Sequence, residues 1–445
     1  MGNEKRIIEK IRGDVMENSD YIMVSDFNRT RWFFEKNFKR INILRSKLRK
    51  LDNDESYSNL QYIIEDLKYY SDTFNYYNIS CNSLSGTRAS FFSITTFLRA
   101  NLETTYIIWG KIRNEIKENS DNKNISKIKL EVDKINKNLA RNKNFRNMLE
   151  HNIDPYYSGD YYYLKKMFPL DMQLIFCEKA LIICKLLRNY DLLASNKSIN
   201  INYKSIPIID RKKIITNNSV KNNEVFRYTC ELSYRVEKRM KRMEYKAFQL
   251  MDEGCSEEYI SDELIKMKTP VKESNIIDLC FKLIELNKAI LHSINYESKE
   301  LILFNSPCAY FNRIAMNKCY QLCDKLGLYM VENNEGSNQT YFKKVCQDLQ
   351  VKGDVLDEIK IQMVELKRKD YYIQLSKLRN FIEHNKGVID FENKKEVISS
   401  VLISVYQDLT LIVHSLVTKY FCYNNIELSE RSFVEALNKS NIYPI

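Results

Sequence analysis

The sequence predicts an all-α fold of two tandem helical bundles packed as a pseudo-dimer. Three observations carry that expectation. Glycine (10) and proline (6) are scarce in 445 residues, so turns are few and the elements long. No strand-like alternation of any length occurs, whereas apolar residues recur at three- and four-residue spacing along most of the chain. Finally, one seven-residue frame appears in each half: Arg146-Asn147-Met148-Leu149-Glu150-His151-Asn152 and Arg379-Asn380-Phe381-Ile382-Glu383-His384-Asn385. Five positions are identical and the two variable ones stay apolar. The chain has only 4 histidines, and two of them hold the same place in this frame.

In the first half, Ser25 or Asp26 caps a helix in which Phe34, Phe38, Ile41, Leu44 and Leu48 repeat. A second helix runs from about Glu55 to Tyr77. A third, from about Arg88, carries Phe91, Ile94, Leu98, Leu102, Tyr106 and Trp109 on one side. A fourth, from about Lys127, ends in the first motif, where Pro155 stops it. A fifth, from about Leu170 to Leu193, reads as buried nearly all round. Residues 195–223 are rich in Ser, Asn and Lys, contain Pro207 and show no helical period.

The second half repeats the order. Helices are expected over Val225–Asp252, Ser256–Met267, Ile276–Tyr296 and Cys308–Val331. Another, from about Leu356, ends in the second motif at Gly387. An apolar helix over Lys394–Tyr420 and a short one from about Ser429 complete the half. The expected division is therefore 1–194, a linker over 195–222, and 223–445, the product of a tandem duplication.

Hydrophobic residues at 44% and charged residues at 29% describe a globular chain able to bury a core in each half. The net charge of +11 and a pI near 8.9 favour a polyanionic partner. The 11 cysteines are scattered and read as reduced, mostly buried thiols. Cys319 and Cys323 are one helical turn apart, but no second pair completes a zinc site. No metal-ligand cluster, Gly-rich phosphate loop or nucleophile elbow is found, so no cofactor is expected. No apolar run approaches the roughly 20 residues that span a bilayer. Met1–Arg12 is charged without an apolar core, and Arg6 stands where a myristoylation signal needs Ser or Thr. The expectation is a cytoplasmic protein with no membrane partner.

The motif spacing has chemical consequences. Asn147 and His151 are neighbours on one helix face, as are Asn380 and His384; Arg146–Glu150 and Arg379–Glu383 have the same four-residue spacing. Arginine and histidine are five apart, about 140° around the axis at roughly 100° per residue. They converge where the arginine curls over or the helix loosens at its end. Both histidines fall in a last turn, where the helix C-terminal partial charge favours imidazolium. Metal-free RNA cleavage needs a base for the 2′-hydroxyl, an acid for the leaving 5′-oxygen and a cation for the phosphoryl oxygens. Histidine supplies the first two and arginine, with its planar fork, the third. Two motif helices packed face to face would surround one phosphate. The bland reading is that each histidine only ends a helix and each Arg–Glu pair is a solvated bridge.

Arg-Asn-x-x-x-His near the end of a helix in an α-bundle resembles the signature of the HEPN superfamily. The resemblance covers about the last four helices of each half. It implies a metal-independent ribonuclease with a composite site, of the kind found in toxins, anti-phage abortive-infection proteins and the nuclease parts of CRISPR effectors. It implies that the single-chain pair of domains replaces the usual homodimer, and it leaves open a regulatory partner or antitoxin and a homo-oligomer. Catalytic roles would fall on Arg146, Asn147, His151, Arg379, Asn380 and His384. The rival expectation is a non-catalytic relative that uses the motif to hold nucleotide or RNA.

Two basic stretches suit a phosphate backbone. Arg235, Lys238, Arg239, Arg242 and Lys246 share a helix face opposite Leu232, Val236, Met240 and Met243. Residues 29–50 hold nine basic residues against one acidic, Glu35. Tyr156 and Tyr157, followed by Tyr161 to Tyr163 and Lys165, would stack unpaired bases of single-stranded RNA beside the cleavage site. His292 and His414 sit in apolar runs and read as core histidines.

Overall fold

The computed structural model describes residues 39, 42–51, 53, 61–83, 180, 181, 183, 184, 209–267, 271–295, 304–330, 342, 357–384, 389–391 and 393–439. Among the described residues all regular structure is helical and no strand occurs. The third and fourth expected helices, the first motif and the tyrosine cluster after it lie outside the described residues.

Helix α1 spans residues 42–51 and buries Leu44, Leu48 and Leu51, the continuation of the expected spacing. Helix α2 is Gln61–Ser83, which extends past the expected end at about Tyr77; residues 54–60 lie outside the described residues. Ala180, Ile183 and Cys184 are helical and buried, inside the expected fifth helix.

Helix α3 begins inside the stretch expected to show no helical period. It runs unbroken over Arg211–Asp252, and Asp210 caps it by accepting from the Lys213 N–H at 3.2 Å. Residues 211–222 are its first three turns. Their period was hidden because inward positions carry polar side chains. Ile214 and Ile215 are partly buried, but Asn218 is buried and Asn222 donates to the Tyr406 hydroxyl at 2.5 Å. An apolar count along that stripe misses them. Tyr406 in turn donates to Asn287, so the two asparagines and the phenol form one polar thread through the core.

Downstream, chain punctuation and structure agree closely. Gly254, at φ +74°, turns the chain out of α3, and the Cys255 N–H returns to the Leu250 carbonyl at 3.0 Å. Ser256 caps α4 (Glu257–Lys266). Helix α5 is Val271–Asn295. Helix α6 is Pro307–Met330, with proline in the first turn and the Ser306 hydroxyl accepting from the Ala309 N–H at 3.3 Å.

The helix expected from about Leu356 through the motif is two helices, α7 (Asp357–Arg368) and α8 (Asp370–His384). At the junction the Lys369 N–H reaches Leu366, three residues back, and the Tyr372 N–H reaches the Lys369 carbonyl. Lys369 and Tyr371 both direct their side chains to Asp408, with Lys369 Nζ at 2.8 Å. That shared carboxylate holds the bend.

Helix α9 (Lys395–Tyr423) is the axle of the bundle, in contact with α3, α5, α6, α7 and α8. By length and composition it could cross a membrane, contrary to the expected absence of such a run, but 72% of its most apolar window is buried in the protein. Burial from all sides explains a helix this apolar. Asn425, at φ 50°, ends it, and α10 (Glu430–Lys439) folds back on α3. There Phe433 meets Phe226 edge-on at 6.1 Å, and Glu231 accepts from the Ser429 N–H and hydroxyl.

His414 is not a core histidine. Its Nε2 pairs with Glu224 across the α3–α9 contact, with 19% of the side chain exposed. His292 packs on Phe311 at 4.9 Å; burial, then Lys288, lowers its pKa. Cys319 and Cys323 are buried thiols in the core.

Candidate functional site

The second motif closes α8. Tyr372, Leu375, Leu378 and Ile382 bury one stripe of the helix in the core, and Phe381 is buried beside it. Arg379 and Asn380 are left half-buried. The Arg379 guanidinium lies over the Tyr320 ring of α6, 4.3 Å from its centroid. Its Nη1 donates to Asn380 Oδ1 at 3.2 Å. The motif arginine therefore has a fixed platform on a neighbouring helix and its next-door asparagine on one edge. Stacking occupies the flat face of the guanidinium, whereas phosphate recognition uses its in-plane N–H groups. Burial raises the Tyr320 phenol above its ordinary range, and Arg379 opposes that.

His384 is the last residue of α8. Its imidazole and the Glu383 carboxylate lie outside the described side chains, and Asn385 and Gly387 lie outside the described residues. Arg146, Asn147, His151, Tyr156 and Tyr157 are outside them as well. Of the six residues expected to be catalytic, Arg379 and Asn380 thus have described side chains, and these two are brought together.

The expected basic face of α3 is partly spent inside the fold. Leu232 and Val236 are buried opposite it, as expected. Arg235 pairs with Glu231 at 2.9 Å, and Arg239 with Glu273 of α5 at 3.2 Å. Lys238 lies over Tyr234 at 5.3 Å. Arg235 and Arg239 tie α3 to its own carboxylate and to α5, and Lys238 and Arg242 are exposed.

Two sets of buried charges had no counterpart in the sequence reading. Between α5 and α6, Lys325 pairs with Asp278 at 2.8 Å, Lys318 pairs with Glu285, and Lys282 lies 3.9 Å from both acids. All five side chains are less than a tenth exposed. Desolvation opposes ionisation of Asp278, but Lys325 and Lys282 outweigh it and its pKa is lowered. The signal was the spacing Asp278, Lys282, Glu285 facing Lys318 and Lys325, a polar stripe that ordinarily marks a solvated face.

The second set docks α1 and α2 on the start of α6. Arg313 pairs with Asp66 and lies over Tyr69 at 4.0 Å. Asp72 accepts from the Phe304 and Asn305 N–H groups at 2.7 and 3.1 Å and from Asn305 Nδ2 at 2.8 Å. Arg45 stacks on Phe304 at 4.4 Å, with Nη1 3.8 Å from Asp72.

Burial pushes the Asp72 carboxyl up to about 6, against these hydrogen bonds and Arg45. Its folded pKa thus exceeds the ordinary 3.8, so its favourable contribution is full below that value and lost as pH rises through about 6. Hydrogen-exchange protection of 61–72 is expected to fall between pH 5 and pH 7 in the wild type more steeply than in Asp72→Asn. Equal slopes would count against this account of the contact.

No protein-family model matches the chain, and neither a curated protein nor a solved structure is significantly similar to it.

Proposed function

We propose that this protein is a metal-independent RNA endonuclease with one composite site built from the two Arg-Asn-x-x-x-His motifs. The observation that carries the reading is the recurrence of the motif in both halves of an α-helical chain. The second copy ends a helix whose arginine is braced on Tyr320 and Asn380. In this reading the halves pack as a pseudo-dimer, so that His151 and His384 share the general base and general acid roles. Arg146 and Arg379 stabilise the charge that grows on the phosphoryl oxygens. The 2′-oxygen attacks phosphorus, the 5′-oxygen leaves with a proton, and the product carries a cyclic phosphate. Asn147 and Asn380 orient the arginines. Tyr156, Tyr157 and Arg242 hold single-stranded RNA, and the setting is cytoplasmic anti-phage defence or a toxin system restrained by a partner.

The Tyr320 stack also favours a second reading, in which Arg379 is chiefly a packing residue and the protein is a non-catalytic RNA- or nucleotide-binding regulator. Incubating the purified full chain with end-labelled single-stranded RNA in excess EDTA separates the two. Products ending in 2′,3′-cyclic phosphate are expected. Strict dependence on added Mg²⁺, or intact RNA with and without it, would contradict the enzymatic reading.

A further inference from the structure

Helix α10 joins the bundle through a small contact of its own. It packs along α3, and its Phe433 ring closes an apolar cell separate from the main core, formed by Phe226 and Cys230 of α3 and Ile284 of α5, with Phe281 beside them. Three contacts secure it. Phe433 meets Phe226 edge-on at 6.1 Å, and Ser429 donates its N–H and its hydroxyl to Glu231, each at 3.1 Å. Arg227 pairs with Glu430 at 2.9 Å and lies 5.2 Å from the Phe433 ring. Ser429, Glu430 and Phe433 thus stand at Glu231, Arg227 and Phe226, so the two helices run antiparallel.

The polar part of this contact opposes release only weakly. Arg227 and Glu430 are both exposed, and such a pair contributes little. Glu231 keeps Arg235 at 2.9 Å when Ser429 leaves, so no buried charge is stranded. The apolar cell is different: Phe226, Cys230 and Ile284 are each less than a tenth exposed, and release would open them to water. A cell of this kind calls for another amphipathic helix, and the segment that matches it residue by residue is 429–433 itself. The joint before α10 carries further apolar surface. Tyr423 is 83%, Leu428 45% and Val434 50% exposed, three large apolar side chains within residues 423–434 that the contact with α3 leaves uncovered. Between them Asn425, at φ 50°, is the one non-glycine residue in the left-handed region among the described residues, and it makes the turn that folds α10 back.

We propose that α10 is exchanged between two copies of this chain, each copy filling the α3–α5 cell of the other. The cell takes a serine-capped helix with an acidic first turn and a phenylalanine four residues after the cap, and a second copy supplies that helix in full. Opening the turn at Asn425 brings the two connectors side by side about the twofold axis, where Tyr423, Leu428 and Val434 gain the cover they lack in one chain. The tether gives the internal contact a high effective concentration, so dilute chains stay closed and exchange grows with concentration. The exchange is independent of the Arg-Asn-x-x-x-His motifs and stands whether or not the chain cleaves RNA.

Two measurements on the full chain test it. Isotopically light and heavy chains, mixed, concentrated, warmed and cooled, are expected to give mixed dimers by native mass spectrometry, and Phe433→Ala to weaken that association by about tenfold or more. A fluorescent peptide of residues 425–439 is expected to bind full-length Phe433→Ala at least about tenfold more tightly than the wild-type chain, whose own α10 competes, and the peptide carrying the same substitution to bind neither. Phe433 lies outside the main core, so the fold should survive its removal; Ser429→Ala, which loses only a hydroxyl, should shift both readouts in the same direction by less. Dimers that survive Phe433→Ala and excess peptide, or a peptide that binds both chains equally or neither, would overturn the proposal. A chain that binds the peptide yet stays monomeric at every concentration would also overturn it and point to a helix of another protein.

Discussion

His384→Ala is expected to lower RNA cleavage by roughly 10²–10⁴-fold, the usual contribution of a general acid or base, while the fold survives. His151→Ala should have the same effect. The reason for expecting an intact fold lies in the position of His384 at the last residue of α8. The residues that hold the helix to the core, Leu375, Leu378, Phe381 and Ile382, come before it. Circular dichroism and the thermal midpoint should therefore match the wild type, while the rate of appearance of cyclic-phosphate ends collapses. An active His384→Ala protein with wild-type kinetics would remove the histidine from the mechanism. A variant that fails to fold would instead make this residue part of the scaffold and favour the packing reading of the motif.

The second large effect concerns stability. Asp66→Ala is expected to destabilise the docking of α1 and α2 on α6 by roughly 3–5 kcal/mol, because it leaves the Arg313 charge buried without its partner. Arg313 is one-tenth exposed and Asp66 less, and the Tyr69 ring 4.0 Å from the guanidinium closes the site to water. Burial alone would lower the arginine's pKa; Asp66 first, then the two tyrosines, raise it, so the charge stays in place. Replacing both partners, as in Asp66→Leu/Arg313→Met, should recover most of the loss, since two apolar side chains of similar volume need no partner. Urea unfolding of the three proteins measures this. A loss below about 1 kcal/mol in Asp66→Ala would mean that the pair behaves as an exposed salt bridge.

The parts of the fold that could be read from sequence are those where local chemistry and tertiary packing agree. Ser256, Ser306 and Ser429 each cap a helix, and Gly254 turns the chain out of α3. The most apolar stretch became α9, the helix that most others touch. The misreadings share one cause, the use of polar residues on inward faces. Asn218 and Asn222 concealed the first turns of α3, and Asp408 bends the chain at Lys369 where periodicity alone continues a single helix. The charges of α5 and α6 follow the spacing of a solvated stripe and are buried all the same.

For the site, recurrence of the motif was legible because it needs no structure. The bracing of Arg379 was not: Tyr320 is 59 residues earlier in sequence, on a helix whose proximity no local pattern encodes. Arg239 looked like a free cation for the same reason, since Glu273 belongs to another helix, whereas the Glu231–Arg235 pair has a four-residue spacing that is legible in the sequence. Arg45 was one basic residue among nine in its segment, and its burial sets it apart from Arg49 and Lys50.

Whether the two motifs act at one phosphate is settled most directly by the kinetics of His151→Ala, His384→Ala and the double variant. Residues that work as one unit are strongly non-additive, so all three proteins should fall to the same background rate. Two separate sites would instead leave each single variant with about half of the wild-type rate and abolish cleavage only in the double variant, which would contradict the composite site.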